Sequence, residues 1–296
     1  MVPAYNYKKY FPADFADLRR NKFIAHQCIK ISVICEICVK YCFKDLLEWC
    51  QIYNFKYMKE QIAEWQKFLK DKTAEEVISF AIEKLGESLA FATSLAIEDQ
   101  VVTEMITKIT PFPFIFTLDT GRLFQETYDT IENTSKRYGI KINIMFPDNQ
   151  EIEEMVNNHG INLFYDSVEK RKLCCKIRKI NQLQRALSGK KGWITGQRQE
   201  QSITRYGLNK VEWDETNLLI KFNPIADWTE QQVWHYIKTN NIPYNHLQEQ
   251  GYRSIGCLPC TRPVAESEDF RAGRWWWEKP ENKECGLHKG YKGIKV

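Results

Sequence analysis

The chain has 296 residues, 43% of them hydrophobic and 27% charged, with a formal net charge of +4. That balance belongs to an ordinary globular protein: no apolar run is long enough to span a membrane, and the excess charge is too small to argue for a nucleic-acid partner. The first residues, MVPAYNYKKYFPADF, lack the basic-then-apolar design of a signal peptide. A cytoplasmic chain is therefore expected, whose ten cysteines serve as metal, cluster or catalytic thiols rather than as disulfides.

Residues 1–57 carry Cys28, Cys35, Cys38, Cys42 and Cys50 and no clean periodicity. From Met58 the pattern sharpens. MKEQIAEWQKFLK has its apolar residues at helical spacing. TAEEVISFAIEKLG is a second helix, with Thr73 and Glu76 placed as a capping box and Gly86 as the stop. SLAFAT reads as a buried strand, followed by a polar turn and a helix in DQVVTEMITKI. PFIFTL is a second strand; it ends in DTGR, and a helix runs on through Tyr138. IKINIMF is a third strand, GWITG and NLLIKFN are later ones, and DWTEQQVWHYIKTNN is an amphipathic helix. Strands alternating with helices predict an α/β domain with a mainly parallel sheet flanked by helices. Such sheets bind ligands at the C-terminal ends of their strands, so the polar turns there are the candidate site.

After the first strand comes TSLAIEDQ (Thr93–Gln100). A strand, a turn with a hydroxyl and a helix N-terminus can hold a phosphate on free N–H groups; the plainer reading is a Ser-capped helix. There is no Walker loop. LDTGR (Leu118–Arg122) follows the second strand, and TGQRQEQSITR (Thr195–Arg205) follows GWI. In the last, Arg198 and Arg205 are each able to fork onto a phosphate or sulfate. The basic clusters after Lys170 suit a compact anion or a solvated face.

KLCCKIRK places Cys174 beside Cys175, and GCLPCTRP places Cys257 two residues from Cys260. Four cysteines in two pairs can ligate zinc or an iron–sulfur cluster, although a tandem pair is unusual for structural zinc. Unrelated free thiols are the other reading. Cys285, in KECGLHKG, stands apart. Lys283, His288 and Lys289 nearby favour its thiolate, which suits either a nucleophile on a flexible segment or an ordinary exposed cysteine.

The segments LAFATSLAIEDQ, LDTGRLFQETY, CCKIRK, ITGQRQEQSITR, GYRSIGCLPCTRP, RAGRWWWE and ECGLH, in this order over about residues 75–290, closely resemble the assimilatory sulfonucleotide reductases. Among these they look like the cluster-containing adenylyl-sulfate (APS) reductases. The resemblance implies an adenine-nucleotide α-hydrolase-like fold of the ATP-pyrophosphatase type. It implies that Cys174, Cys175, Cys257 and Cys260 ligate one [4Fe–4S] cluster, which tunes the field and holds the site together rather than shuttling electrons. It further implies reduction of APS to sulfite and AMP in assimilatory sulfate reduction and cysteine biosynthesis. Cys285 would attack the sulfur, leaving an S-sulfo cysteine that an external thioredoxin or glutaredoxin resolves. Arg271 and Arg274 would reach the phosphosulfate, Lys179 in the CCKIRK turn would link cluster and substrate, and Ser94 and Arg198 would hold the nucleotide.

On this reading residues 1–57 are an extension without an assigned role, for which Met58 is an alternative start. Residues 58–275 form the nucleotide- and cluster-binding reductase domain, and residues 276–296 are a mobile catalytic tail. CEICVKYC (Cys35–Cys42) fits no ferredoxin spacing. One departure from the family stands out. Its phosphate turn reads S-F-G-A-E-D-Q, whereas here Leu95 and Ala96 replace Phe and Gly; a methyl at Ala96 is expected to narrow backbone approach and disfavour positive φ. The alternatives are a 3′-phosphorylated substrate (PAPS), an ATP-dependent sulfurtransferase of the same fold, or a zinc-binding nucleotide module. The sequence leaves the oligomeric state, a homo-oligomer included, open.

Overall fold

The computed structural model describes residues 58–279, apart from Phe112 and residues 202–204. The cysteines of residues 1–57, the CEICVKYC stretch and Cys285 with its tail lie outside the described residues. The described residues from Ile62 to Lys279 belong to one compact unit.

Helix α1 (58–69) sets Trp65 edge-on against Phe80, with ring centroids 5.2 Å apart, and stacks it on Phe222 at 6.3 Å. Helix α2 (Ala74–Leu85) starts at the expected capping box. Glu76 N donates to Thr73 Oγ1 at 3.2 Å, and Thr73 N donates to Glu76 Oε2 at 2.8 Å. Two orphan N–H groups of the first turn are thereby satisfied.

Six strands follow: β1 (Leu89–Ala92), β2 (Ile115–Leu118), β3 (Ile142–Met145), β4 (Gly192–Ile194), β5 (Val211–Asp214) and β6 (Leu219–Phe222). Their order across the sheet is β3-β2-β1-β4-β6-β5, and every pair is parallel except β5 with β6. Helices α3 (Ile97–Ile109) and α4 (Gln125–Tyr138) make the crossovers from β1 to β2 and from β2 to β3. The chain thus winds outward from β1 on one side and returns to β4 on the other. The gap between the loops after β1 and β4 is the topological switch point, where doubly wound sheets bind ligands.

Alternation along the strands divides the core. Ala90, Phe116, Trp193 and Leu219 pack with Leu183, Ala186 and Leu187 of helix α7 (Asn181–Leu187). Phe222 turns to the opposite face, towards Trp65. Helix α8 (Glu230–Asn240) packs against α3.

Three features depart from the expected pattern. Strand β5 is an antiparallel edge whose VEWD sequence alternates apolar and acidic residues over four positions, too short a run to mark it. Helix α5 (Asn149–His159) is mostly exposed and buries only Met155, so it carries little periodic signal. The CCKIRK segment, expected as a turn, is helical throughout. Helix α6 (Val168–Cys175) runs into a π-helical stretch, Lys176–Ile180, and then into α7. The wider π turn shifts the apolar spacing, which hides the helix from a 3.6-residue template.

Replacing Thr73 with alanine should lower the unfolding free energy by about 1 kcal/mol. The readout is a lower urea midpoint at unchanged slope; an unmoved midpoint would mean that the cap contributes nothing.

Candidate active site

The loop after β1 is organised by a carboxylate from the helix that follows it. Ser94 N and Ser94 Oγ each donate to Asp99 Oδ2 at 2.6 Å, and Leu95 N donates to Thr93 Oγ1 at 3.1 Å. The hydroxyl therefore does not cap α3. The N-cap is Ala96, which makes no side-chain cap bond, so the first-turn N–H groups of α3 have no side-chain cap competing with an anion. The expected conflict of Ala96 with a positive φ does not arise. Ala96 sits in extended backbone at φ −68°, where a methyl is harmless. The left-handed position is Leu95, at φ 61°, and its side chain is buried. A non-glycine residue there carries strain of about 1 kcal/mol or more, which buried apolar surface opposes.

Asp99 also reaches across the switch point. Gly196 N, in the loop after β4, donates to Asp99 Oδ1 at 3.1 Å. A Cβ at Gly196 would come within 2.2 Å of that oxygen, so only glycine allows the approach. Burial pushes the Asp99 carboxyl up to about 6, against the opposing pull of the two Ser94 hydrogen bonds.

These loops open onto a cavity of about 220 Å³. Five cations line it: Lys179, Arg205, Arg253, Arg271 and Arg274. Ser94 is at its wall, and Phe116, Leu183 and Trp193 contribute apolar surface. Four of the expected contact residues, Ser94, Lys179, Arg271 and Arg274, thus meet in one place. Arg198 does not line the cavity. Its buried guanidinium donates to Glu98 Oε1 at 3.1 and 2.8 Å, to Glu200 Oε2 at 3.1 Å and to Trp228 O at 3.2 Å. It is a buried ion pair that braces the start of α3. Asp99 and Arg253 were not singled out from the sequence, although both lie inside the segments IEDQ and GYRSIGC.

A second, smaller cavity holds the four cysteines. Cys174, Cys175, Cys257 and Cys260 all line it, and none is in a disulfide. Cys174 and Cys175 close α6. The Cys257–Cys260 turn is tied to the DTGR turn by Leu258 N donating to Arg122 O at 2.8 Å, and Cys257 Sγ donates to Thr120 Oγ1 at 3.2 Å. It is tied to the RAGRWWWE segment by Trp275 N donating to Cys260 O at 3.1 Å. Arg122, Arg171, Arg178, Lys179 and Arg274 surround the thiols. Lys179 and Arg274 therefore line both cavities. Gly256 makes room for this: a Cβ there would meet Arg274 Nη2 at 2.3 Å.

Burial raises the Cys174 thiol, and it raises Cys260 to about 12, with Cys257 adding to the effect. Left to themselves these groups stay protonated, so ligation must displace protons. Among the described residues, no group of three or more His, Cys, Asp or Glu side chains gathers closely enough to hold a metal ion. The donor set is nonetheless coherent. Four thiols face one pocket ringed by cations, and such a ring suits an anionic, thiolate-ligated cluster. The ligands of a multi-iron cube also stand further apart than those of a single ion.

The mainly parallel doubly wound sheet with a cation-lined cavity at its switch point is of the adenine-nucleotide α-hydrolase-like class. Within that class the chain belongs to the family described as "Phosphoadenosine phosphosulfate reductase domain", whose model matches residues 88–263. It is 50% identical over 220 residues to an adenosine 5'-phosphosulfate reductase of Allochromatium vinosum, covering 74% of this chain and 86% of that one. It is 42% identical to the chloroplastic 5'-adenylylsulfate reductase 3 of Arabidopsis thaliana, over 78% of this chain and 52% of the plant protein. The solved phosphoadenylyl-sulfate (PAPS) reductase of Candida auris, a phosphate complex, superposes with a TM-score of 0.61 at 30% identity, covering 69% of this chain and 97% of that one.

Because the folded Asp99 group titrates near 6 rather than at the ordinary 3.8, its protonated form is favoured by folding. That contribution is complete below the lower value and is lost as pH rises through about 6. The stability of wild type relative to Asp99→Asn should therefore grow as pH falls from about 7.5 to about 4.5. Urea denaturation across that range reads it; a constant difference would show that Asp99 is not perturbed.

Proposed function

We propose that this chain reduces adenosine 5'-phosphosulfate to sulfite and AMP, the step that commits activated sulfate to assimilation. The observation that carries the reading is the pair Lys179 and Arg274, cations shared between the cation-lined cavity at the switch point and a pocket of four thiols. The relatives at 50% identity are named for APS and the solved structure at 30% for PAPS, which favours APS over its 3′-phosphorylated counterpart.

In this reading the first-turn N–H groups of α3 and the five cations hold the phosphosulfate, and Trp193 and its apolar neighbours receive the adenosine. APS is a mixed anhydride, so AMP is a good leaving group. The thiolate of Cys285 attacks the sulfur. An S–S bond forms, the bridging O–S bond breaks, and AMP departs with that electron pair. The cations offset the negative charge that builds on the leaving oxygen; fixed charge of this kind costs no reorganisation at the moment of reaction. An external dithiol, a thioredoxin or glutaredoxin, then attacks Cys285 Sγ. Sulfite leaves, and the dithiol ends as a disulfide after resolving the mixed disulfide. Cys174, Cys175, Cys257 and Cys260 would hold a [4Fe–4S] cluster, which supplies a fixed charge beside Lys179 and cross-links the segments that form the pocket.

Anaerobically purified protein should contain about four irons per chain, as a four-thiolate cube requires. Cys257→Ser should remove iron and activity together. Retention of full iron in this variant would point to other ligands.

Cys285→Ser should abolish sulfite release while AMP binding and iron content stay unchanged, because a hydroxyl is barely ionised and has no thiol-exchange exit. Wild type incubated with APS and no reductant should accumulate one sulfonate adduct on the peptide containing Cys285, and reduced thioredoxin should discharge it. An adduct on Cys28, Cys35, Cys38, Cys42 or Cys50 instead would overturn the mechanism.

A further inference from the structure

Arg171 and Glu278 form a buried ion pair that the chemistry above does not use. Arg171 Nε donates to Glu278 Oε1 at 2.8 Å and Nη2 donates to Oε2 at 2.7 Å. The two side chains are 0% and 3% exposed. The guanidinium also lies 4.6 Å from the Trp275 ring centroid. Fork-to-fork pairing fixes direction as well as distance, and a pair this well buried holds one geometry rather than several.

Its position in the chain is informative. Arg171 precedes Cys174 and Cys175 by one helical turn on α6. Glu278 closes the segment that contains Arg271 and Arg274, which line the cavity. That segment is pinned at two further points, Arg262 N to Gly273 O at 3.0 Å and Trp275 N to Cys260 O at 3.1 Å, and closes on itself through Glu278 N to Trp275 O at 2.8 Å. Glu278 is its last buried residue, and Cys285 follows seven residues later. Seven extended residues reach about 23–25 Å. Wherever Glu278 is held therefore sets the sphere that the Cys285 thiol can visit.

We propose that Glu278, clamped by Arg171, is a positioning residue: it fixes the point from which the Cys285 segment departs, against the helix that carries two of the four clustered thiols. The proposal rests on Cys285 being the nucleophile. A tethered thiol acts at an effective concentration set by tether length and by where the tether starts. Releasing the clamp moves that start upstream towards Trp275, which stays pinned to Cys260, and dilutes the thiol at the cavity, while the cavity's own cations stay in place. The clamp also joins the root of the catalytic segment directly to α6, so the thiol pocket and the nucleophile share one support.

The experiment uses the full-length, iron-loaded protein, with APS as the reactant and AMP as a probe of the cavity. Glu278→Gln removes the charge pairing at constant size. The rate of single-turnover adduct formation on Cys285 should fall at least tenfold, with AMP affinity within about twofold of wild type and iron content unchanged. Glu278→Asp keeps the charge and loses the two-point geometry; it should recover part of that rate. A general structural defect would instead lower AMP binding, iron and adduct formation together, and that result overturns the proposal. So does a wild-type adduct rate in Glu278→Gln. If Glu278→Gln does not fold, Glu278→Asp decides: a slower adduct rate at normal AMP affinity supports the clamp, and a wild-type rate overturns it. Absence of any adduct on Cys285 in the wild type is a different failure, since it removes the nucleophile itself rather than its positioning.

Discussion

The site depends on one buried carboxylate. Asp99 accepts from Ser94 on one side of the switch point and from Gly196 on the other. Parallel sheets leave their C-terminal loops separated wherever the winding direction reverses, and something must hold the two lips of that crevice at a fixed spacing. Here a side chain from the first turn of α3 does so, and its cost is legible in the raised carboxyl. The same clasp explains why glycine stands at position 196, since any Cβ would collide with the acceptor oxygen. It also explains why the Ser94 hydroxyl is not available to cap α3. Strain at Leu95 and desolvation at Asp99 are both concentrated in a loop of a few residues, as is usual where backbone must be presented to a ligand.

Charge is distributed with equal economy. Arg198 and Arg171 are both fully buried, and both are matched by carboxylates, Glu98 and Glu278. An unmatched guanidinium in such surroundings would cost several kcal/mol, so these two brace the frame. Arg205, Arg253, Arg271, Arg274 and Lys179 border open space, and Arg253 also pairs with Glu230 at 2.6 Å. Arg274 keeps its Nε without a hydrogen-bond partner inside the protein, a state that a buried cation tolerates when its charge is answered from elsewhere. With Lys179 it stands between a pocket of thiols and a pocket for an anion, and negative charge in either one lowers the cost of holding it there.

Much of this was legible in the sequence, and the limits have physical causes. Helix α2 announced itself because its cap and stop are local: Thr73, Glu76 and Gly86 act on their own backbone. Strands β1, β2, β4 and β6 were visible as apolar runs because a parallel sheet buries both faces, and β3, at one edge, was visible through the alternation of IKINIMF. Strand β5 was not, because the apolar-acidic alternation of an edge strand of four residues is too short to stand out. The cysteines and the RAGR arginines were identified through resemblance, because spacing alone left zinc, cluster and free thiols open. Arg198 was placed with the ligand on the strength of its loop, yet its partner Glu98 lies a hundred residues away in sequence, and no local pattern reveals a pairing of that range. The φ of Leu95 was missed for a similar reason. The motif suggested that the residue replacing glycine would be the strained one, but the backbone places the left-handed turn one position earlier.

The segment Arg271–Glu278 ties these threads together. In eight residues it supplies two cavity cations, hydrogen-bonds the Cys257–Cys260 turn through Trp275, and ends in the buried partner of Arg171. Its tryptophans are not a free apolar run: Trp275 is buried among the cysteines, and Trp277 packs at 4.5 Å against Tyr165, whose hydroxyl donates to Pro259 O at 2.8 Å. Trp275 is thus held by the Cys257–Cys260 turn and Glu278 by α6, which carries Cys174 and Cys175. A chemistry that needs anion-binding cations, a thiolate pocket and a separate nucleophile faces a problem of registration among three distant stretches of chain. This structure answers it by running one short segment past the cavity, the Cys257–Cys260 turn and α6, so that one stretch of backbone sets the cations, the thiol turn and the buried Glu278 in register while each keeps its own contacts.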